Sequence, residues 1–426
     1  MEQCEAGAAR VDITPLVGVE LVGYNSSPNT GINDPLWARA LAFRSQGQCV
    51  LIIVLDVLGI ELATTHRIRE LISARLPVAP DNVLICCTHN HCGPSLLRFY
   101  SVPIHPAWEE EAIGATVDVA AAAFERLRPA QIGVGRTEVC NIGANRRARL
   151  DDGSIFHFSG AHARRPPDGR TVVEESVIDP ELSVICARDT AGRIIAVLTN
   201  YATHPWLYNG TRVSSEISGA CAGWVEEQLR PGNPDVVALF SPGTGSNITT
   251  VQNQIPIPEE LQEREHWFTA ERTRMGEILG RATVRALEGA TGFAGTGPVA
   301  SKVCTIAAPV YDQKLSVVLA ENDGLPPTDL TMATEVQVLE IGDIVLVGLP
   351  SEIYVEYGLE IKSRSRYENT FVLSYCNDYF ADIITHEAVE ERCCPELQWT
   401  KVHPDVRELI MRCLEPHVLY PRQDAM

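Results

Sequence analysis

An α/β fold of mixed β-sheets flanked by helices is what the sequence predicts, and three observations carry that reading. Continuous β-branched apolar runs alternate with amphipathic, helix-like segments, the order that builds layered α/β proteins. The apolar runs lack the in-and-out alternation of a half-exposed strand, so they read as strands covered on both faces. Four of them end in clusters of histidine, hydroxyl or carboxylate side chains, and the carboxyl ends of strands are where α/β proteins build ligand sites.

The strand-like runs are CVLIIVLD (49–56), NVLICCTH (82–89), LSVICAR (182–188), RIIAVLTNYATH (193–204), VVALFS (236–241) and DIVLVGLP (343–350). Between them, 64–76, 107–127, 219–230 and a long pattern from about 258 to 288 read as amphipathic helices, the third stopped by Pro231 and Gly232. The most loop-like stretch is 163–180, rich in proline, arginine and acidic residues. There is no internal repeat and no low-complexity tract.

Bulk properties exclude several classes. The 35 basic against 55 acidic residues give a formal net charge of −20, the opposite of the basic field that nucleic acid requires. The longest apolar run, from Cys49, is interrupted by Asp56 and falls short of the roughly 18–20 apolar residues of a membrane helix. The first residues show no charged n-region followed by an apolar h-region. The 13 cysteines are odd in number and sit largely inside apolar runs, which predicts reduced, core-filling thiols and a cytoplasmic location.

Four strand ends concentrate the polar chemistry. The 82–89 run leads into Thr88, His89, Asn90 and His91; the 193–204 run into His204 and Pro205; the 236–241 run into the Gly-rich GTGSNITT; the 343–350 run into Ser351 and Glu352 at the start of an apparent helix. Each has a plain structural alternative: a histidine closing a strand, a glycine turn, an acid favoured by a helix N-terminus. Together, imidazoles and a carboxylate at strand ends are the donor set of a catalytic zinc ion. Trp206 and Tyr208 read as packing residues, and the adjacent Cys393 and Cys394 are too close for an ordinary disulfide.

With these residues in view, the chain resembles the catalytic domain of the neutral/alkaline, non-lysosomal ceramidase family. The opening AGAARVDITPLVGVELVGYNSSPNTGINDPLWARALAF, then THNHCGP, NYATHPW, GLPSEIYVEYG and NDYFADIITHEAVEE resemble family segments in the family's order, from about residue 6 to 396. The resemblance implies one catalytic domain over 1–426 and one Zn2+ per chain, with His89, His204 and Glu352 as ligands. It implies His91 beside the metal, pointing elsewhere than His89 and holding substrate or oxyanion, and Arg146 facing the substrate. The family's fourth ligand, a tyrosine three residues after that of NDY, falls on Asp382, itself a competent zinc ligand. A later substrate-contacting tyrosine corresponds roughly to Cys394. In the GTGSNITT loop, Thr249 or, in another register, Ser246 takes the nucleophile position, and Asn247 stands where the family has aspartate. Glu216 replaces an aspartate of the family's SADYPG segment, and Tyr379 stands with Asn247 and Glu216 as a substrate-binding candidate.

The expected activity is therefore zinc-dependent hydrolysis of an amide, or an ester or lactone, in a small soluble molecule. Ceramide itself is not expected, because the residues after Glu396 leave no room for the ceramidases' C-terminal immunoglobulin-like domain. A metal-dependent lyase, cyclase or isomerase using the same site is the alternative; a catalytically dead binding protein ranks below both. No nucleic acid or membrane-inserted partner is expected, and a homo-oligomer is compatible with the charged helix near 258–288.

Overall fold

The fold is a four-layer arrangement, helices over a large sheet over a smaller sheet over helices, seen in a computed structural model. It describes residues 4–22, 27–98, 104–158, 166, 169–207, 210–250, 260–294, 297–311, 330–391 and 394–420. Its principal strands are β1 (Glu5–Asp12), β2 (Trp37–Ser45), β3 (Gln48–Leu55), β4 (Val83–Cys87), β5 (Arg128–Glu138), β6 (Glu181–Asp189), β7 (Ile194–Tyr201), β8 (Val237–Pro242), β9 (Val299–Pro309), β10 (Thr331–Ile341), β11 (Ile344–Gly348) and β12 (Asn369–Leu373). The helices are α1 (Leu62–Arg75), α2 (Pro106–Glu125), α3 (Glu216–Leu229), α4 (Leu261–Glu288), α5 (Val355–Arg364), α6 (His386–Glu391) and α7 (Val406–Leu414).

Among the described residues, the large sheet runs β8-β7-β6-β5-β1-β2-β3-β4, with the short strand Thr291–Ala294 as its ninth member beside β5. The small sheet runs β9-β10-β11-β12. Both are mixed and mainly antiparallel, but three pairs are parallel: β3 with β4, β7 with β8, and β11 with β12. Parallel neighbours need a crossover, and α1, α3 and α5 provide one each. Three βαβ units thus send the carboxyl ends of β4, β7 and β11 toward one region.

The strands are continuous in hydrophobicity because each face meets a layer. Leu51, Ile53 and Leu55 of β3 pack on Ile68 and Ile72 of α1, with Ala112 and Ala120 of α2 in the same cluster. The alternate residues Ile52 and Val54 face the small sheet, where Leu339, Leu346 and Phe371 join Phe43, Leu84 and Leu198 in a core between the sheets. Val197 and Ala238 pack under Ile217 and Val225 of α3 and Met275 and Leu279 of α4. Beyond the small sheet, Val345 and Val347 meet Tyr357 and Ile361 of α5 and Ile410 and Leu414 of α7.

The six sequence-read strands and four helices all form, with ends displaced by a few residues. β5 was not legible because Gly133 and Gly135 interrupt it. A Cβ at Gly135 would lie 1.9 Å from the Ala286 carbonyl oxygen and one at Gly133 2.5 Å from the Phe293 ring, so close approach excludes side chains there. Three other expectations are corrected. Glu352 does not open a helix: Glu352–Ile353 form a short strand paired with Asp382–Ile383, and α5 begins at Val355. Part of the loop-like 163–180 stretch is a strand, Val172–Glu175, paired with residues 148–150. The cysteines are not all reduced: Cys304 of β9 and Cys413 of α7 form a disulfide across 109 residues, while nine of the ten free cysteines described are buried as expected. Tyr208 and Cys393 lie outside the described residues. Among the described residues no helix is long and apolar enough to cross a membrane.

Candidate metal centre

The loops leaving β4, β7 and β11 bring three imidazoles and one carboxylate to a point. His89 Nε2 lies 3.1 Å from His204 Nε2 and 3.0 Å from His91 Nε2. Glu352 Oε2 is 3.4 Å from His89 Nε2 and 3.5 Å from His204 Nε2. All four residues are buried. His89, His91 and His204 are the group of the described residues whose ligand atoms could hold a metal ion.

The donor spacing suits a cation. A tetrahedral zinc shell with bonds of about 2.0–2.1 Å sets its donor atoms about 3.3–3.4 Å apart, close to the separations here. His89 Nδ1 lies 3.0 Å from the Leu58 carbonyl and donates to it, which aims Nε2 into the centre. Burial pushes His204 down to about 3 and His91 well below the ordinary range, so both are neutral near pH 7. A single His89 nitrogen cannot pair with two imidazoles and a carboxylate at once, whereas a shared cation can meet all four.

The loop geometry explains the convergence. His89 has φ of +57°, and the Asn90 side chain closes the following turn by accepting from Cys92 N at 2.6 Å and donating to Asp56 O at 3.2 Å. The expectation that His91 points elsewhere than His89 is thereby corrected: both Nε2 atoms meet. Six of the seven non-glycine residues with positive φ among those described, His89, Glu216, Ser351, Tyr375, Asn377 and Ala381, belong to the segments that build or support this centre. Such backbone costs energy and collects where surrounding structure fixes a functional geometry.

Two tyrosines line the centre. Tyr375 stacks on His89 with ring centroids 4.1 Å apart, and the Tyr379 hydroxyl donates to Glu352 Oε1. Gly59 makes room for Tyr379, since a Cβ there would fall 2.9 Å from the ring. Burial would raise Glu352, but His89 and His204 hold its carboxyl well below the usual range.

The remaining candidates divide. Asp382, paired with Glu352 in register, is buried beside Ser246. Burial pushes its carboxyl well up, and the negative charges of Glu352 and Glu396 add to this. Arg146 points its guanidinium to Glu396, Nη1 to Oε1 at 2.7 Å, and Glu396 also meets His157 Nε2 at 3.2 Å. Burial would raise Glu396, yet His157 and Arg146 bring it to about 2. Ser246 is fully buried; Thr249 lies on the short strand Ile248–Thr250 opposite Ala144. Asn247 caps α5: its Oδ1 accepts from Val355 N at 2.9 Å and its Nδ2 donates to Glu356 Oε2 at 2.9 Å. Glu216 is likewise turned inward, its Oε2 accepting from His91 N at 2.6 Å, and burial pushes it up to about 8. Cys394 belongs to the core under the small sheet. Trp206, read as packing, sits with its ring 6.3 Å from that of His91.

Residues 5–253, more than half of the chain, match the family model for the N-terminal region of neutral/alkaline non-lysosomal ceramidases. The chain belongs to this ceramidase family. Two solved structures share the fold over 97% of the chain: a neutral ceramidase from Pseudomonas aeruginosa (18% identity, TM-score 0.74, 73% of that chain) and a ceramidase complexed with C2 (17%, 0.76, 74%). No curated protein sequence matches. The membership makes this a hydrolase-family fold, and the three-histidine group is its candidate metal centre.

Sequence reasoning missed Tyr375, His157 and Glu396. Tyr375 follows the apolar run FVL of β12 and carries the same strand-end signal as the histidines. Glu396, on the short 3-10 turn Pro395–Gln398, and His157 carry no local signal; long-range folding alone brings them to Arg146.

Proposed function

We propose that the chain is a zinc-dependent hydrolase of an amide bond in a small soluble molecule. The observation carrying this reading is the convergence, in a ceramidase-family fold, of His91, His204 and Glu352 on His89 Nε2 at 3.0–3.4 Å, with Glu352 also 3.5 Å from His204. His89, His204 and Glu352 hold one ion, and His91 takes the fourth corner that the sequence assigned to Asp382. A bound zinc ion supplies Lewis-acid polarisation of a carbonyl and lowers the pKa of water to about 7 in well-studied enzymes.

The chain's own residues do the rest. Tyr379 fixes the Glu352 rotamer through its hydroxyl. Arg146, braced by Glu396, orients the scissile carbonyl and offsets charge developing on its oxygen. Ser246 Oγ would form the bond to the carbonyl carbon as the C–N bond breaks, its proton passing to the ionised form of the neighbouring Asp382 and from there to the departing amine, and water would then release the acyl group. Tilted Trp206 borders His91 and excludes water from that side.

The test begins with protein purified without chelator. One zinc per chain by elemental analysis, loss of N-acyl amide cleavage on chelation, recovery on adding Zn2+ and incorporation of one solvent 18O into the acid product are expected. No bound divalent metal, or turnover without solvent oxygen, would overturn the reading; the second outcome would favour a lyase or isomerase. Asp382→Asn is expected to keep the metal and lose most turnover; loss of the metal instead would return Asp382 to the ligand set.

A further inference from the structure

The geometry points to Glu216 as a positioning residue that ties the two histidine loops together and so sets the affinity of the centre for its cation. This rests on the metal reading above but concerns a residue that cannot touch substrate, being fully buried.

Glu216 is the first residue of α3, held with φ of +50°. Its Oε2 accepts from the backbone N–H of His91 at 2.6 Å, and its Oε1 lies 3.5 Å from the N–H of Leu207, three residues beyond His204. One carboxylate therefore contacts both loops that carry the imidazoles. The adjoining residue reinforces the grip, since Ser214 N donates to Cys92 O at 2.9 Å. The chain at 91–92 is thus held on both sides, carbonyl and N–H, by the 214–216 segment.

The segment is itself anchored. Ser214 Oγ and Ser215 N both donate to Asp34 at 2.7 Å, and Asp34 lies 3.2 Å from Arg272 of α4. Glu216 N donates to Ser214 Oγ at 3.1 Å. A connected path of polar contacts runs from Arg272 through Asp34 and the 214–216 turn to His91. A carboxyl group suits this place because both of its oxygens can accept from backbone N–H groups. An amide presents one acceptor and one donor, and the donor would oppose an N–H.

Outer contacts that fix a metal ligand typically change affinity by about 10–100-fold when removed. Glu216→Gln is expected to weaken Zn2+ binding by that factor in competition with a chromophoric chelator, and to shift the visible d–d band of the Co2+-loaded chain. Glu216→Asp keeps the carboxyl group but loses reach, so an intermediate loss is expected; it carries the test should E216Q not fold. A merely structural acid would lower the melting temperature and leave the affinity and the Co2+ band of the folded variant unchanged. That outcome, with the wild-type chain binding Zn2+ tightly, overturns the inference alone. Failure of the wild-type chain to bind Zn2+ or Co2+ overturns the metal reading and this inference with it.

Discussion

At the residue scale the centre depends on buried imidazoles aimed by backbone that is locally unfavourable. Were His91 a substrate partner only, its replacement would alter turnover and spare the ion; in the donor set proposed above it would hold the ion directly. His91→Ala is therefore expected to weaken Zn2+ affinity by roughly 100-fold or more, beyond the outer-contact range, in the same chelator competition. Tyr379→Phe leaves the ring packed against Gly59 and removes only the donor to Glu352, so a loss of about 10–100-fold in affinity or turnover is expected with little change in melting temperature. The strand-end positions of His89, His204 and Glu352 were legible because each follows an apolar run whose end is marked in sequence. Their shared convergence with His91 was not, because it depends on φ at His89 and on the Asn90 turn, which no residue type announces. The partners of Asn247 and Glu216 were not legible for a related reason: a buried polar side chain gives the same letter whether it serves a ligand or a neighbouring backbone.

At the element scale, two crossover helices begin at the site without caps of their own, and each is capped from another segment. The first N–H of α5 goes to Asn247 and the first N–H of α1 to Asp378 Oδ1 at 3.0 Å. Cap removal costs about 1 kcal/mol, up to about 2 in well-ordered sites, so Asn247→Ala is expected to destabilise the chain by that amount in denaturant unfolding. Its effect on metal affinity should be smaller than that of H91A. Asp378 makes a pH prediction. Burial raises its carboxyl from 3.8 to about 6 in the fold, so the folded chain binds this proton more tightly than the unfolded chain. Stability from this group is fully present below about pH 4 and is lost as pH rises through about 6. Asp378→Asn keeps an acceptor for the N–H groups of Leu62 and Tyr379, which both use Oδ1. It is expected to stabilise the chain by about 1–3 kcal/mol at pH 8 and not at pH 4, measured by urea unfolding at both values. The strands and helices around these caps were legible from hydrophobic continuity; the caps were not, since each donor and its acceptor lie more than a hundred residues apart.

At the scale of the whole molecule, the layers explain why one region of the chain can be precise while its periphery is stitched. The core between the sheets is built of side chains from both, and it fixes β4, β7 and β11 relative to one another. In the far helical layer Cys304 and Cys413 join β9 to α7. Composition led to the opposite expectation of reduced thiols throughout. Burial inside apolar runs identifies core cysteines well, but Cys304 and Cys413 are only half-buried and meet solely through the tertiary fold. A bond closing a loop of this length typically stabilises by about 2–4 kcal/mol, largely by restricting the unfolded chain. Cys304→Ser is expected to lower stability by that amount in oxidising buffer, whereas in strong reductant wild type and variant should unfold together. Because α7 packs under the small sheet rather than against the histidine loops, the same substitution should leave Zn2+ affinity within about threefold of wild type, well inside the 10–100-fold expected for contacts that aim a ligand. A large loss of affinity in C304S would mean that the far layer, and not the three βαβ units alone, sets the geometry of the centre.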